Sequence, residues 1–143
     1  QGFTLIELAI TVALVAILAS LAYPSFMEAI YKGRRSEAFS AITTLQLAQE
    51  RWRANNASYT SDFSHLNLQH LQSGGRNYLL SIPEASANAY RLRATATGRQ
   101  GNDTRCAIME VRIEGGSIQY GSSCSTCTPG ATLSDTNRCW SRQ

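Results

Sequence analysis

The sequence predicts an α+β fold. A long N-terminal α-helix, membrane-spanning over its first half, packs on a three- to four-stranded antiparallel sheet that ends in a disulfide-held C-terminal loop. Three observations carry this reading. From Phe3 to Tyr23 an apolar run is interrupted only by Thr4, Glu7, Thr11 and Ser20. Further on, Phe39, Ile42, Leu45, Ala48 and Trp52 recur at steps of three and four, the mark of a helix with one covered face. Beyond residue 78, short alternating runs are separated by turns too brief to carry a crossover helix between parallel strands.

The N-terminal run contains the informative anomaly. About 20 apolar residues in helix cross a hydrocarbon layer of roughly 30 Å, so the segment reads as membrane-embedded. An ionised Glu7 at that depth costs several kcal/mol unless a partner neutralises it, which marks it as functional. No Lys, Arg or His lies between Gln1 and Tyr31. The nearest cation would be an α-amino group, created one helical turn from Glu7 if the chain were cut between Gly2 and Phe3. Pro24 lacks a backbone donor and crowds the preceding turn, so it is expected to bend the helix without ending it.

Gly2-Phe3-Thr4-Leu5-Ile6-Glu7-Leu8, with the alanine- and leucine-rich span and Pro24 after it, resembles the signature of type IV pilins. The resemblance implies that a prepilin peptidase cuts between Gly2 and Phe3 and that the new N-terminal Phe3 is methylated. It implies three regions: a leader remnant at 1–2, a transmembrane and filament-core helix at 3–24, and a globular head at 25–143. It also implies storage in the inner membrane as a single-pass protein with a periplasmic head. An inner-membrane assembly platform then moves the subunit from lipid into an extracellular helical filament of pilin subunits. Phe3, Glu7 and Pro24 would serve assembly, with Glu7 pairing to the Phe3 amine of a neighbour.

Length and charge bound the rest. Once the membrane segment is set aside, 143 residues leave room for one modest head and no second core. Thirteen Lys and Arg against ten Asp and Glu give a net charge of +3, too mild by itself for a nucleic-acid footprint. Four cysteines, Cys106, Cys124, Cys127 and Cys139, fall in the last 38 residues, which reads as disulfides in an oxidising compartment. Lys32, Arg34 and Arg35, just past the span, run against the positive-inside rule. The outward orientation of the head therefore rests on the cysteines and on the resemblance, in which a basic leader stays in the cytoplasm.

The helix is expected to resume after Pro24 and to run to about Asn55, on the order of 80 Å from Phe3 at ~1.5 Å per residue. Its second half presents the Phe39 to Trp52 stripe, while Arg35, Glu37, Gln46, Glu50, Arg51 and Arg53 take other positions. From Ala57 to Asn77 the chain is polar and rich in breakers, a long connecting loop. Tyr59, Phe63, Leu66, Leu68 and Leu71 are spaced through it and predict that it lies on the head. Strands are predicted at Tyr78 to Ile82, Tyr90 to Thr97, Cys106 to Ile113 and Ser117 to Tyr120, with turns at Pro83 to Asn88, Gly98 to Thr104 and Glu114-Gly115-Gly116. In the third strand Cys106, Ile108, Val111 and Ile113 are the apolar set. Beyond Tyr120, turn chemistry without periodicity predicts a loop held by cysteines.

Cys124-Ser125-Thr126-Cys127 is a C-x-x-C, but Thr128-Pro129-Gly130 follows it with a turn where a redox helix would begin, and no βαβ pattern surrounds it. A zinc site with His65 or His70 fits poorly, since the histidines lie on a loop and exported cysteines oxidise. A structural bridge is the better reading, and four cysteines allow three pairings. Arg34-Arg35-Ser36-Glu37-Ala38 and the ending Cys139-Trp140 resemble a PilE-like minor pilin, and that resemblance implies Cys106 with Cys139 and leaves Cys124 with Cys127. Asn56-Ala57-Ser58 and Asn102-Asp103-Thr104 fit the glycosylation pattern and read as polar turns.

Arg76, Arg91, Arg93, Arg99 and Arg105 place several cations along the sheet and its turns. A solvated sheet face is the plain reading. The alternative is an electropositive stripe for DNA, weakened by the interleaved Asp103, Glu110 and Glu114. No nucleophile triad, phosphate-binding glycine loop or paired carboxylates occur, so neither an enzyme, a metal site nor a cofactor is expected. The function read from the sequence is a structural subunit, a minor pilin, of a type IV pilus serving adhesion, twitching motility or DNA uptake. Two alternatives stand beside it, a DNA-binding uptake pilin and a type II secretion pseudopilin.

Overall fold

The computed structural model describes residues 2–72, 77–123 and 139–140. Helix α1 (Leu5–Arg53) is followed by a 3-10 turn at Gln69–Leu71 and strands β1 (Tyr78–Ala85) and β2 (Ala89–Ala96). A second 3-10 turn at Gly98–Asn102 leads to β3 (Ile108–Glu114) and β4 (Ser117–Ser123). The chain divides into two compact units, residues 1–33 and 34–143.

In the first unit Thr4 caps the helix. Its hydroxyl oxygen accepts a hydrogen bond from the Glu7 N–H at 3.3 Å, the spacing of a capping box. The Thr11 and Ser20 hydroxyls donate to the carbonyls of Leu8 and Ile17 at 2.8 and 2.7 Å. These polar interruptions are thus satisfied inside the helix, as an apolar solvent requires. Pro24 lies within the helical span and does not end it. The large apolar residues from Phe3 to Leu21 are all more than half exposed. A helix apolar all round and uncovered within its own chain is one that lipid or neighbouring helices cover.

In the second unit, Ala38, Ile42 and Leu45 of α1 pack in one core with Leu80, Tyr90, Leu92, Ala94, Met109 and Val111. The covered stripe is rotated from the expected one. Phe39, Ala48 and Trp52 are only partly buried, whereas Arg35 and Gln49 are buried at the seam. Polar residues occupy the seam because the fold supplies partners for them. The Gln49 amide donates to the Thr60 carbonyl at 2.5 Å and accepts from the Thr60 N–H at 3.2 Å, pairing with the loop backbone as a strand neighbour would. Phe63, Leu66 and Leu71 are buried beside it, so the long loop lies on the head as predicted.

The sheet is an antiparallel meander in the order β1-β2-β3-β4. Gly115 and Gly116, at φ 56 and 82, form the two-residue β3–β4 turn, where positive φ at both positions suits the strand twist. Several boundaries differ from expectation, and β4 runs on to Ser123 where the sequence predicts loop beyond Tyr120. β1 continues through Pro83, read from the sequence as turn, because its register shifts between Ser81 and Glu84 and a bulge on an edge strand tolerates a residue without a donor. β3 begins at Ile108, with Met109, Val111 and Ile113 facing the core. Ile108 therefore falls on the opposite face from Val111, since side chains alternate with a period of two.

Two buried phenols give the head a pH limit. Burial is the main cause that pushes the Tyr78 hydroxyl above its ordinary value, and burial followed by the nearby Glu50 carboxylate does the same more strongly for Tyr90. A raised folded-state value means that the unfolded chain loses these protons first. Stability is then complete below about pH 10 and falls above it, by up to about 1.4 kcal/mol per pH unit for each tyrosine. Chemical denaturation between pH 8 and 12 is expected to give a plateau and then a decline, reduced in Tyr90→Phe. A flat profile to pH 12 would contradict it.

Candidate functional site

Three places in the chain carry the residues singled out by the sequence. At the N-terminus Gly2 and Phe3 precede α1 and are exposed, and Glu7 sits in the first helical turn. Its backbone is tied to Thr4, while its carboxylate has no partner among the described residues. A carboxylate in the first turn also faces the positive end of the helix dipole, a favourable place for it. Pro24 lies one helical half away and touches none of this group.

The second place is the staple beside β3. Cys106 and Cys139 are bridged with Cα atoms 5.7 Å apart across a sequence separation of 33, the pair that the family resemblance implied. Trp140 is seated just after it. Its indole N–H donates to the Gly121 carbonyl at 2.8 Å, and its ring packs on Tyr120 of β4 and Phe39 of α1, with centroids 5.1 and 6.0 Å away. Helix, edge strand and chain terminus therefore meet at one aromatic cluster, with the tilted and edge-on geometries that aromatic pairs prefer. Cys124 and Cys127 lie outside the described residues.

The four described arginines of the five differ in their partners. Arg76 lies outside the described residues. Arg91 and Arg93 stand on the sheet face turned away from α1, where Arg91 pairs with Glu84 at 3.2 Å and Arg93 with the buried carboxylate of Glu110. Arg112, which the sequence reading passed over, is the direct cross-strand neighbour of Arg91 and pairs with Glu114 at 3.1 Å. Three cations face three carboxylates, so this part of the sheet is an internally compensated lattice; without it the facing arginines would repel. Arg99 and Arg105 are different. Both are exposed, on the segment between β2 and β3, and neither has an ion pair among the described residues.

Beneath those two arginines lies a buried polar network. The Arg35 guanidinium donates twice to Asp103, from Nε and Nη2, each at 2.7 Å, in a bidentate pair that is almost wholly buried. Gln100, fully buried, donates to Asp103 at 3.1 Å and to the Tyr78 hydroxyl at 3.0 Å, and that hydroxyl donates to the Cys106 carbonyl at 3.3 Å. No pattern in the sequence joins these residues. Arg35 was read as lying off the covered face and Asp103 as a turn residue, and they are 68 positions apart. The local hint was an aspartate in a turn three residues before a cysteine.

Both glycosylation-pattern asparagines lie in polar turns, as read. Asn56 uses its amide to cap the end of α1, donating to the Trp52 carbonyl at 2.8 Å, and Asn102 closes the second 3-10 turn. Among the described residues no group of His, Cys, Asp and Glu is placed to hold a metal ion.

A long helix with a bare apolar N-terminal half, a head formed by its second half on an antiparallel meander, and a disulfide beside the third strand together define the pilin architecture. The chain belongs to the type IV pilins and is a subunit of a type IV pilus. Residues 1–23 match the family model of the prokaryotic N-terminal methylation motif, and residues 24–110 match that of the type IV minor pilin ComP, DNA uptake sequence receptor. The chain is 36% identical over 98 residues to the type IV wide pilus major component PilA4 of Thermus thermophilus, covering 68% of this chain and 75% of that protein. It is 40% identical over 65 residues to the type IV major pilin PilA of Myxococcus xanthus, 46% of this chain and 29% of that one. The same identity over 65 residues relates it to the major pilin PilE1 of Neisseria gonorrhoeae, 41% of this chain and 39% of that one. The chain thus spans three quarters of the Thermus relative and less than two fifths of the other two.

Proposed function

We propose that this chain is a minor type IV pilin that is drawn from the inner membrane into a pilus and contributes its head to DNA uptake. The uptake reading is carried by one observation: residues 24–110, from the second half of α1 into β3, match the family of DNA-uptake-sequence receptors. The exposed Arg99 and Arg105, which have no ion pair among the described residues, support it, since phosphate contacts need cations not already spent on carboxylates. A pseudopilin role is not favoured, because the similar proteins named above are pilus components. Duplex binding by the purified chain is expected to weaken with salt at a log–log slope of about −2 or steeper, from ~0.9 per phosphate neutralised. Binding that is absent at low salt, or insensitive to salt, would remove the uptake reading and leave the structural one.

Assembly follows from the N-terminal segment. In this proposal a prepilin peptidase cuts between Gly2 and Phe3, Phe3 is methylated, and the assembly platform moves the subunit from membrane lipid into contact with other pilin subunits. The head faces the periplasm before assembly and the exterior after it. Support comes from the methylation-motif match and from a Glu7 carboxylate without a partner among the described residues. In lipid a lone carboxylate is costly; beside the Phe3 amine of a neighbour it becomes an ion pair that sets the register between subunits. Glu7→Val is expected to accumulate normally in the membrane and to fall about tenfold or more in sheared pili, the change for one lost contact of about 1.4 kcal/mol. Wild-type incorporation would refute the pairing.

A further inference from the structure

We infer that the buried Arg35–Asp103–Gln100–Tyr78 network is a positioning device that presents Arg99 and Arg105 as a preformed pair of phosphate contacts; this rests on the DNA reading above. The segment from Gly98 to Cys106 alternates anchors with cations. Gln100, Asp103 and Cys106 are buried, and Arg99 and Arg105 are exposed immediately beside Gln100 and Cys106. Each cation is therefore one peptide unit from a residue that cannot move without breaking a buried contact. Backbone bonds from Gln100 N–H to Thr97, Asp103 N–H to Gln100 and Cys106 N–H to Asp103, at 3.1, 2.9 and 3.2 Å, brace the turns between the anchors.

Charge points the same way. Asp103 is the sole acidic residue in this segment, and Arg35 holds it inside the head, leaving the exposed surface of the segment purely cationic. Stability alone is a poor account of the network. A buried ion pair is often no better for stability than apolar residues of the same volume. Moreover, Gln100 spends both amide hydrogens and its Oε1 is buried without a partner among the described residues, an arrangement that costs stability. What such a network supplies is a fixed geometry, and pre-ordered contacts bind more tightly because less freedom is lost on binding.

The test uses the full chain in a non-ionic detergent and a short random-sequence duplex, with affinity measured over a salt series. Arg99→Gln/Arg105→Gln is expected to lower the salt slope by about 2, at ~0.9 per lost phosphate contact. Tyr78→Phe changes no charge and no exposed group. It is expected to weaken binding about three- to tenfold with a shallower slope, and to have no further effect in the Arg99→Gln/Arg105→Gln background, the non-additivity of groups acting through one another. Gln100→Met, which also removes the orphaned oxygen, is the second variant should Tyr78→Phe fail to fold by circular dichroism. If the wild type binds and the arginine pair proves dispensable, the inference falls while the DNA reading stands. A folded Tyr78→Phe or Gln100→Met that binds as wild type, or whose loss adds to that of the arginine pair, overturns the positioning role. A wild type that does not bind overturns both.

Discussion

Replacing both Cys106 and Cys139 by alanine is expected to lower the stability of the head by about 2–5 kcal/mol. Closing a separation of 33 residues removes roughly 3 to 4 kcal/mol of unfolded-chain entropy in the polymer model. A head of little more than a hundred residues has few reserves against such a loss, since total stabilities run at about 5–15 kcal/mol. The local consequence is as specific as the global one. Trp140 follows the bridge directly and closes the Phe39–Trp140–Tyr120 cluster against β4, the last strand of the sheet, paired with β3 alone among the described strands. Without the bridge the segment holding Trp140 gains freedom, so β4 should exchange its amide hydrogens faster than β2, which is flanked by β1 and β3. Denaturant unfolding checks the first expectation and hydrogen exchange the second. A loss below about 1 kcal/mol with β4 protected as before would mean that the aromatic cluster holds the terminus unaided.

The second large effect belongs to the buried ion pair. Arg35→Met leaves the Asp103 carboxylate inside the head facing the Gln100 amide without a cation among the described residues, and removing one partner of such a pair costs about 3–5 kcal/mol. Arg35→Met/Asp103→Leu removes both charges together and is expected to recover most of that loss, because the desolvation penalty disappears with the pair. The comparison separates the worth of the pair from the penalty for breaking it. Equal destabilisation of single and double variants would show that the bidentate geometry itself stabilises the fold.

Much of the assembly segment was legible residue by residue. Glu7 stands out because a lone carboxylate in an apolar run is expensive wherever the run is placed. The hairpin at Gly115-Gly116 was equally local, since two adjacent glycines between alternating runs supply the positive φ that a tight turn needs. The arginines were legible only as residues. Arg91 and Arg93 could not be told from Arg99 and Arg105 until the strands placed Glu84 and Glu110 beside the first two and left the others at the surface.

By itself the sequence determined what depends on near neighbours: an apolar helix able to span a bilayer, an amphipathic continuation, a meander of short strands, and a carboxylate that needs a partner outside its own segment. Only the tertiary structure decided which face of α1 is covered, which arginines are spent and what holds the segment before β3. The reason is physical. Helix and strand periodicities repeat every two to four residues and are printed in the chain, whereas the cost of burying Arg35 is met by an aspartate 68 residues away, and nothing short of folding brings them together.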